Sequence, residues 1–289
     1  MVQPASPTPA VPRVPLRDGG SIPQFGFGTY KVDPADATAA VKIALEVGIR
    51  HIDTAQMYHN EAEVGRGIAE SGVPRKDIFL TTKLNNGNHV PDDARRSFDQ
   101  SLRDLGTDYV DLFLIHWPLP TRYGGDFPAT WRVLTEFLDD GRARHIGVSN
   151  FQVAHLLRLI DEVGVVPEVN QIEAHPYLAN NQVRAFGATH GIVTEAWSPL
   201  ARGAVLDDPV VLKVAKEAGR TPAQVVLRWA IERGDVVFPK SVHPERIREN
   251  FDVFDFQLTP EWTAALNGLD RGEDGRQGSH PDTMDIIGR

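Results

Sequence analysis

Eight short apolar runs punctuate this chain, and each is followed by a stretch with helical periodicity. The runs are FGFGTY, HID, IFLTTK, VDLFLIH, RHIGVSN, VNQIEA, VTEAWSP and VVFPKS. Between them lie PADATAAVKIALEVG, NEAEVGRGIAESG, DDARRSFDQSLRDLG, ATWRVLTEFLDDG, QVAHLLRLIDEVG, NQVRAFGATHG, and the pair DPVVLKVAKEAG and TPAQVVLRWAIERG. A last helical run, PERIRENFDV, follows the eighth strand. Strands that alternate with helices require crossover connections and therefore pair in parallel. Gly48, Gly72, Gly106, Gly141, Gly164, Gly191, Gly219 and Gly234 stand where left-handed C-terminal caps are needed. Asp33, Asn150 and Thr221 are candidate N-caps.

Eight such units match a closed (β/α)8 (TIM) barrel, which takes about 250 residues. The rival is an open doubly wound sheet carrying the dinucleotide signature GxGxxG. Here Gly26 and Gly28 are followed by Lys31 where the third glycine belongs, so that signature fails. The expected organisation is one α/β barrel domain over residues 16–289, preceded by a flexible arm over residues 1–15 that holds five prolines. LRDGGSIPQFG reads as a β-hairpin turn, with Asp18-Gly19-Gly20 supplying positive φ angles. The Gly-rich tail RGEDGRQGSHPD is placed over the barrel mouth or left mobile.

Composition narrows the chemistry. There are no cysteines, which excludes disulfides, thiolate metal sites and thiol nucleophiles, and fits a reducing compartment. A net charge of −9 argues against general binding to nucleic acid or to a membrane surface. No apolar stretch approaches the roughly 18 residues of a membrane helix, and the N-terminus lacks a secretory apolar region. A cytoplasmic monomer acting on a small molecule is the expectation.

In a (β/α)8 barrel the chemistry gathers at the C-terminal ends of the strands. The second strand ends at Asp53, the third at Lys83 and the fourth at His116, with Tyr58 in the loop after the second. Each alone has an ordinary explanation: Asp53 as a helix cap, Lys83 as a strand-end lysine, His116-Trp117-Pro118 as a packed loop. The HxD pair at His51 and Asp53 has no partner histidine at metal-site spacing, so no metal is expected. Together at neighbouring strand ends, the four read as a proton donor aimed at a carbonyl oxygen. A free phenol, with a pKa of about 10, is a poor acid at neutral pH. A nearby Lys83 ammonium is expected to lower it, with Asp53 holding the lysine and His116 orienting the bound oxygen.

GIRHIDTAQMYHNEAEVG, LGTDYVDLFLIHWP, GVSNF, VNQIEAHPY, WSPLARG and FPKSVHPERIRENFDVFDF together make the sequence resemble the aldo-keto reductase family over nearly its whole length. The resemblance is to the bacterial branch that includes the 2,5-diketo-D-gluconate reductases. It implies a catalytic tetrad of Asp53, Tyr58, Lys83 and His116, with Tyr58 the general acid and hydride from NADPH. It further implies cofactor contacts from Gly28, Thr29 and Asp53, and from Ser149, Asn150 and Gln171 to the nicotinamide carboxamide. Trp197 would offer its face to the nicotinamide ring, where the family more generally has a tyrosine; barrel packing is the plainer alternative. The loop Ser198, Pro199, Leu200, Arg202 and Gly203 would meet the pyrophosphate. Lys240, Ser241, Val242 and Arg246 would hold a ribose 2′-phosphate, and Glu249 and Asn250 the adenine. The phosphate contact is least complete at His243, where relatives often carry threonine or arginine.

Tyr30, Tyr58, Asn85, His116 and Trp117 are the expected substrate contacts. Relatives commonly have tryptophan at Asn85, so a wider and more polar pocket is expected, suited to dicarbonyls, keto-sugars or keto-acids. A nucleotide-binding regulatory or sensor protein with weak reductase activity is the alternative from another class, and a metal-dependent barrel hydrolase the third.

Overall fold

The computed structural model describes residues 11–287. Most of the Pro-rich arm lies outside that range, but Arg13–Pro15, counted with it above, forms strand β1. It pairs antiparallel with β2 (Ser21–Pro23), Val14 opposite Ile22. Of the three turn residues expected at positive φ, Gly19 takes it, at 98°. Asp18 instead contributes its side chain, Oδ1 accepting from the Gly20 N–H at 2.8 Å. This hairpin plugs the lower end of the barrel, where Leu16 and Ile22 pack with Phe79, Leu112, Val169 and Val236.

The eight apolar runs become eight parallel strands in sequence order: β3 (Phe27–Gly28), β4 (His51–Asp53), β5 (Phe79–Leu84), β6 (Val110–Ile115), β7 (Ala143–Ser149), β8 (Val169–Glu173), β9 (Val193–Trp197) and β10 (Val236–Val237). The ring closes between first and last. Phe25 bridges Val237, the Gly26 N–H donates to Val237 O at 2.8 Å, and the Val237 N–H donates to Gln24 O at 3.0 Å. Gly28 is needed at this closure, since a Cβ there would stand 2.8 Å from the Phe238 carbonyl oxygen. Every barrel strand but β9 is wholly or mostly buried on both faces, as a parallel sheet covered by helices requires.

Around the barrel run α1 (Pro34–Val47), α2 (Glu61–Glu70), α3 (Pro91–Leu105), α4 (Phe127–Asp139), α5 (Val153–Val163), α6 (Asn181–Thr189), α7 (Pro209–Ala218), α8 (Pro222–Glu232), α9 (Pro244–Phe251) and α10 (Pro260–Asn267). Their apolar faces bury against the outer face of the sheet; Phe98 of α3 lies 4.3 Å from Phe113 of β6 and 4.4 Å from Phe137 of α4, ring centre to ring centre. Asp33 and Thr221 cap α1 and α8 as expected. Asn150 does not cap α5. It takes a left-handed φ of 66°, and Gln152 is the N-cap, its N–H donating to His155 Nδ1 at 3.1 Å. Helix α10 lies outside the strand–helix alternation, although Thr259 before Pro260 carries a helix-start signal; Thr259 Oγ1 accepts from the Trp262 N–H at 3.2 Å.

Candidate active site

Asp53 is the last residue of β4 and Lys83 the penultimate residue of β5, on adjacent strands with Asp53 in register with Thr81. That stagger brings Lys83 Nζ to 2.6 Å from Asp53 Oδ1, while the same ammonium donates to Thr54 O at 2.9 Å and reaches the Tyr58 hydroxyl at 3.3 Å. All three ammonium hydrogens are thereby used, in a side chain with no solvent exposure. Tyr58 is delivered by a single 3₁₀ turn, Gln56–Tyr58, which His59 ends in a left-handed conformation at φ 55°. His116 follows β6 directly, and its ring lies edge-on to Tyr58 with centroids 5.7 Å apart. The four residues read from the strand ends therefore share one corner of the mouth.

The electrostatics differ from expectation in one respect. Burial pushes the Tyr58 phenol up to about 12, outweighing the lowering by Lys83. The phenol is thus held protonated through the neutral range, and Lys83 is placed to stabilise negative charge on the phenol oxygen. Burial alone would lower the Lys83 ammonium, but Asp53 and Tyr58 more than offset it and hold it above its ordinary value. His116 is kept well below the usual histidine range by burial, then by Lys83 and His89, so its imidazole is neutral. This corner can give a proton from a neutral phenol to an oxygen and stabilise the resulting anion.

Behind it lies a layer that strand-end reasoning missed. Gln171 of β8 donates its amide N–H groups to Asp53 Oδ2 and to Glu195 Oε2, each at 2.8 Å. Glu195 points into the barrel from β9 with no exposure. The signal available was an acidic residue inside an apolar strand run.

Of the residues expected to meet a cofactor, Ser149, Asn150 and Trp197 form one connected group. The Trp197 indole N–H donates to Asn150 Oδ1 at 2.8 Å, and Asn150 Nδ2 donates to His116 O at 2.9 Å and Ser149 Oγ at 3.0 Å. Thr29, with no exposure, spends its hydroxyl on Thr54 Oγ1 and Asp53 O. Ser198, Arg202 and Gly203 all take positive φ in the loop after β9, a compact irregular segment that also holds Pro199 and Leu200. Lys240, Arg246 and Glu249 are exposed, and Ser241 and Asn250 are buried. The last two line a surface crevice with Phe25, Phe27, Ile49, Pro239 and Ile247 that is too tight to hold a water molecule. Val242 is half-buried between them and His243. Glu245 lies 3.9 Å from His243.

Of the residues expected to meet substrate, Tyr30 is exposed, with its ring 5.1 Å from that of Tyr58. Asn85 turns inward: its Oδ1 accepts from the Gly87 N–H at 3.3 Å and caps the turn Asn86–Asn88. Trp117 packs with Leu119 and Met284. The tail is tied across the mouth. Glu173 at the end of β8 accepts from the backbone N–H groups of Gln277 at 2.8 Å and Gly278 at 3.0 Å, and the Asn86 amide donates to Ile286 O at 2.8 Å. Burial would raise the Glu173 carboxyl, but the bonds from His175 and these two amides hold it below its ordinary value. Gly278 sits so close to Trp197 that a Cβ would stand 2.4 Å from the indole. Among the described residues, the His/carboxylate group compact enough to share a cation is Asp18, His145 and Glu168. It lies at the strand starts, at the other end of the barrel.

Comparison with known proteins follows this geometry. Residues 23–271 match the model of the aldo/keto reductase family. The chain is 50% identical over 277 residues to an aldo-keto reductase of Mycolicibacterium smegmatis, covering 96% of this chain and 99% of that one. It is 45% identical over 271 residues to the methylglyoxal reductase DkgA of Escherichia coli, covering 93% and 96%. Among solved structures it is similar to Gox0644, of which a mutant was crystallised in complex with NADPH, with a TM-score of 0.92, 42% identity, and 96% of this chain and 100% of that one covered.

Proposed function

Since the chain belongs to the aldo/keto reductase family, we propose that it is an NADPH-dependent carbonyl reductase in which Tyr58 donates the proton and Asp53, Lys83 and His116 complete the tetrad. The observation that carries this is the sealed contact of Lys83 with both Asp53 and Tyr58. When bound, NADPH supplies the hydride. The residues present fit such a group: Lys240 and Arg246 are exposed cations without an ion-pair partner among the described residues, on the segment after β10 that also carries Ser241 and Asn250. A bound carbonyl oxygen sits between the Tyr58 hydroxyl and the neutral His116 imidazole, which donates a hydrogen bond without competing for the proton. Ser149 and Asn150 are the carboxamide contacts, together with Gln171 through its Oε1, since both its amide hydrogens are taken, and Trp197 is the ring face.

The substrate class is small oxygenated carbonyls. Methylglyoxal reductases stand among the relatives, and this favours dicarbonyls over the diketo-sugar acids of the branch first named. The tail strapped beside Trp117 and Trp197 limits the room for a bulky substrate. With Asn85 turned to its own loop, the polar character of the rim rests less on its amide than the sequence implied. The test is kcat/KM with NADPH for methylglyoxal against a steroid ketone and a long-chain aldehyde. Methylglyoxal should lead, and a lead for the steroid ketone would contradict the substrate class. An absence of NADPH oxidation with every carbonyl would contradict the reductase reading itself.

A further inference from the structure

Gln171 has two amide hydrogens, and both are given to carboxyl groups inside the barrel, one to Asp53 and one to Glu195. Gln171 and Glu195 are in register on adjacent strands, so the link is built into the sheet. Resting on the proposed role of Tyr58, we infer that Glu195 is a positioning residue for carbonyl reduction, acting through the shared Gln171 amide on the Asp53–Lys83 pair behind the phenol.

The groups facing Glu195 are His51 and Asp53 from β4, Lys83 from β5 and Gln171 from β8; its register partner on β10, Val236, is not ionisable. Burial, then Asp53, pushes the Glu195 carboxyl up to about 8, so it is neutral at pH 7. His51 cannot supply a balancing charge, because burial lowers it to about 3. Burial raises the Asp53 carboxyl as well. Asp53, however, has the Lys83 ammonium at 2.6 Å to favour its charge and Glu195 has none that close, so of the two acids sharing Gln171 it is Glu195 that keeps the proton. The sealed interior then holds one ion pair, Asp53 with Lys83, and a neutral acid. Glu195 Oε2 accepts from Gln171, which leaves the proton on Oε1. That oxygen has no hydrogen-bond partner and lies 3.9 Å from His51 Nε2.

Deprotonation of Glu195 changes this balance. A second anion then draws on the same Gln171 amide and on Lys83, and the interior gains an uncompensated negative charge. A phenolate at Tyr58 forms less readily beside it, so proton donation weakens as Glu195 ionises. The neutral state of Glu195 is the one that supports reduction.

Glu195→Gln keeps the shape and the acceptor but cannot ionise. With methylglyoxal and NADPH, wild-type kcat/KM should show an inflection near pH 8 and fall on the order of tenfold by about pH 9.5. E195Q should match wild type near pH 7 and fall less than about twofold over the same range. Glu195→Val removes the acceptor and should lower kcat on the order of tenfold with the KM for NADPH unchanged. Superimposable pH profiles for wild type and E195Q overturn the inference. If neither variant folds, infrared difference spectra of the wild-type protein decide. Burial pushes Glu61 up to about 7, so its band is lost first. A second protonated carboxyl band that is lost only between about pH 7.5 and pH 10 supports the inference, whereas its absence overturns it. Tyr58→Phe separates the two levels. Activity surviving in that variant defeats the underlying reading, whereas its loss together with an unaltered E195Q profile defeats only the role of Glu195.

Discussion

Two corners of the barrel mouth hold lysines for opposite physical reasons. Lys83 is sealed, its three donors shared among Asp53, Thr54 and Tyr58. Lys240, in the loop after β10, is exposed, as is Arg246 on α9. Taking an ammonium out of water is costly unless partners compensate, and at Lys83 they are built in. That cost is worth bearing where charge must be stabilised at the moment it forms, because a low-dielectric site strengthens each interaction. A phosphate arriving from water needs the reverse: cations left free and solvated until the anion binds. The local field there outweighs the net charge of −9, because screening confines distant charges to a Debye length of about 8 Å.

The contrast can be broken most forcefully at Lys83. Lys83→Met leaves Asp53 buried without its partner, and a loss of about 3–5 kcal/mol in unfolding free energy is expected. Adding Asp53→Asn should recover much of that stability while turnover stays lost. Denaturant titration with steady-state kinetics checks both, and an unchanged single variant would show that the pair is not a buried ion pair in solution. At the other corner, Lys240→Ala or Arg246→Ala should leave stability alone and weaken NADPH binding about 10- to 150-fold, with little change for NADH. Raising ionic strength should erode NADPH affinity while leaving the rate of the chemical step nearly constant. Equal weakening of both cofactors in a fluorescence titration would erase the distinction between the corners.

The tail gives a smaller effect. Glu173→Gln removes the charge from the bonds to Gln277 and Gly278, which loosens the strap by roughly 1.5–3 kcal/mol. Faster hydrogen exchange over residues 276–287 and a raised KM for the carbonyl are the expected signs.

Acid sensitivity belongs to the sealed side. Burial lowers His51 to about 3 and His89 to about 4, and holds His116 well below its ordinary value. A folded pKa below the unfolded one means that the unfolded chain takes up protons first. The stabilisation is present above about pH 6.5 and lost on acidification, at up to about 1.4 kcal/mol per pH unit for each histidine. Thermal melts should therefore fall steadily from about pH 6.5 to pH 4.5, and a flat profile would argue that these rings are not buried neutral.

Legibility in the sequence followed the range of the interactions. The strands, the glycine caps and the caps at Asp33 and Thr221 are local patterns, and each stands where its period or turn chemistry placed it. Asp53, Lys83 and His116 were visible because strand ends in a barrel converge whatever lies between them. The direction of the Tyr58 pKa was not visible, since it depends on burial by residues far along the chain, which outweighs the one neighbour that could be named. Asn150 looked like a helix cap because its neighbours in sequence suit one; its partners are His116 and Trp197, 34 and 47 residues away. Gly28 was assigned to the cofactor, yet its lack of a Cβ is explained by the Phe238 carbonyl at the barrel closure. Glu195 is not legible in the sequence, because an acidic residue in an apolar run has no local meaning until Gln171 and Asp53 are placed beside it.

The central claim is that Tyr58 gives the proton from the sealed corner. The most direct measurement is single-turnover reduction of methylglyoxal by Tyr58→Phe with bound NADPH, alongside a fluorescence titration of NADPH. Loss of at least about 100-fold in the chemical step, with NADPH affinity nearly unchanged, is the expected result. A variant that keeps more than about a tenth of the wild-type rate would contradict it.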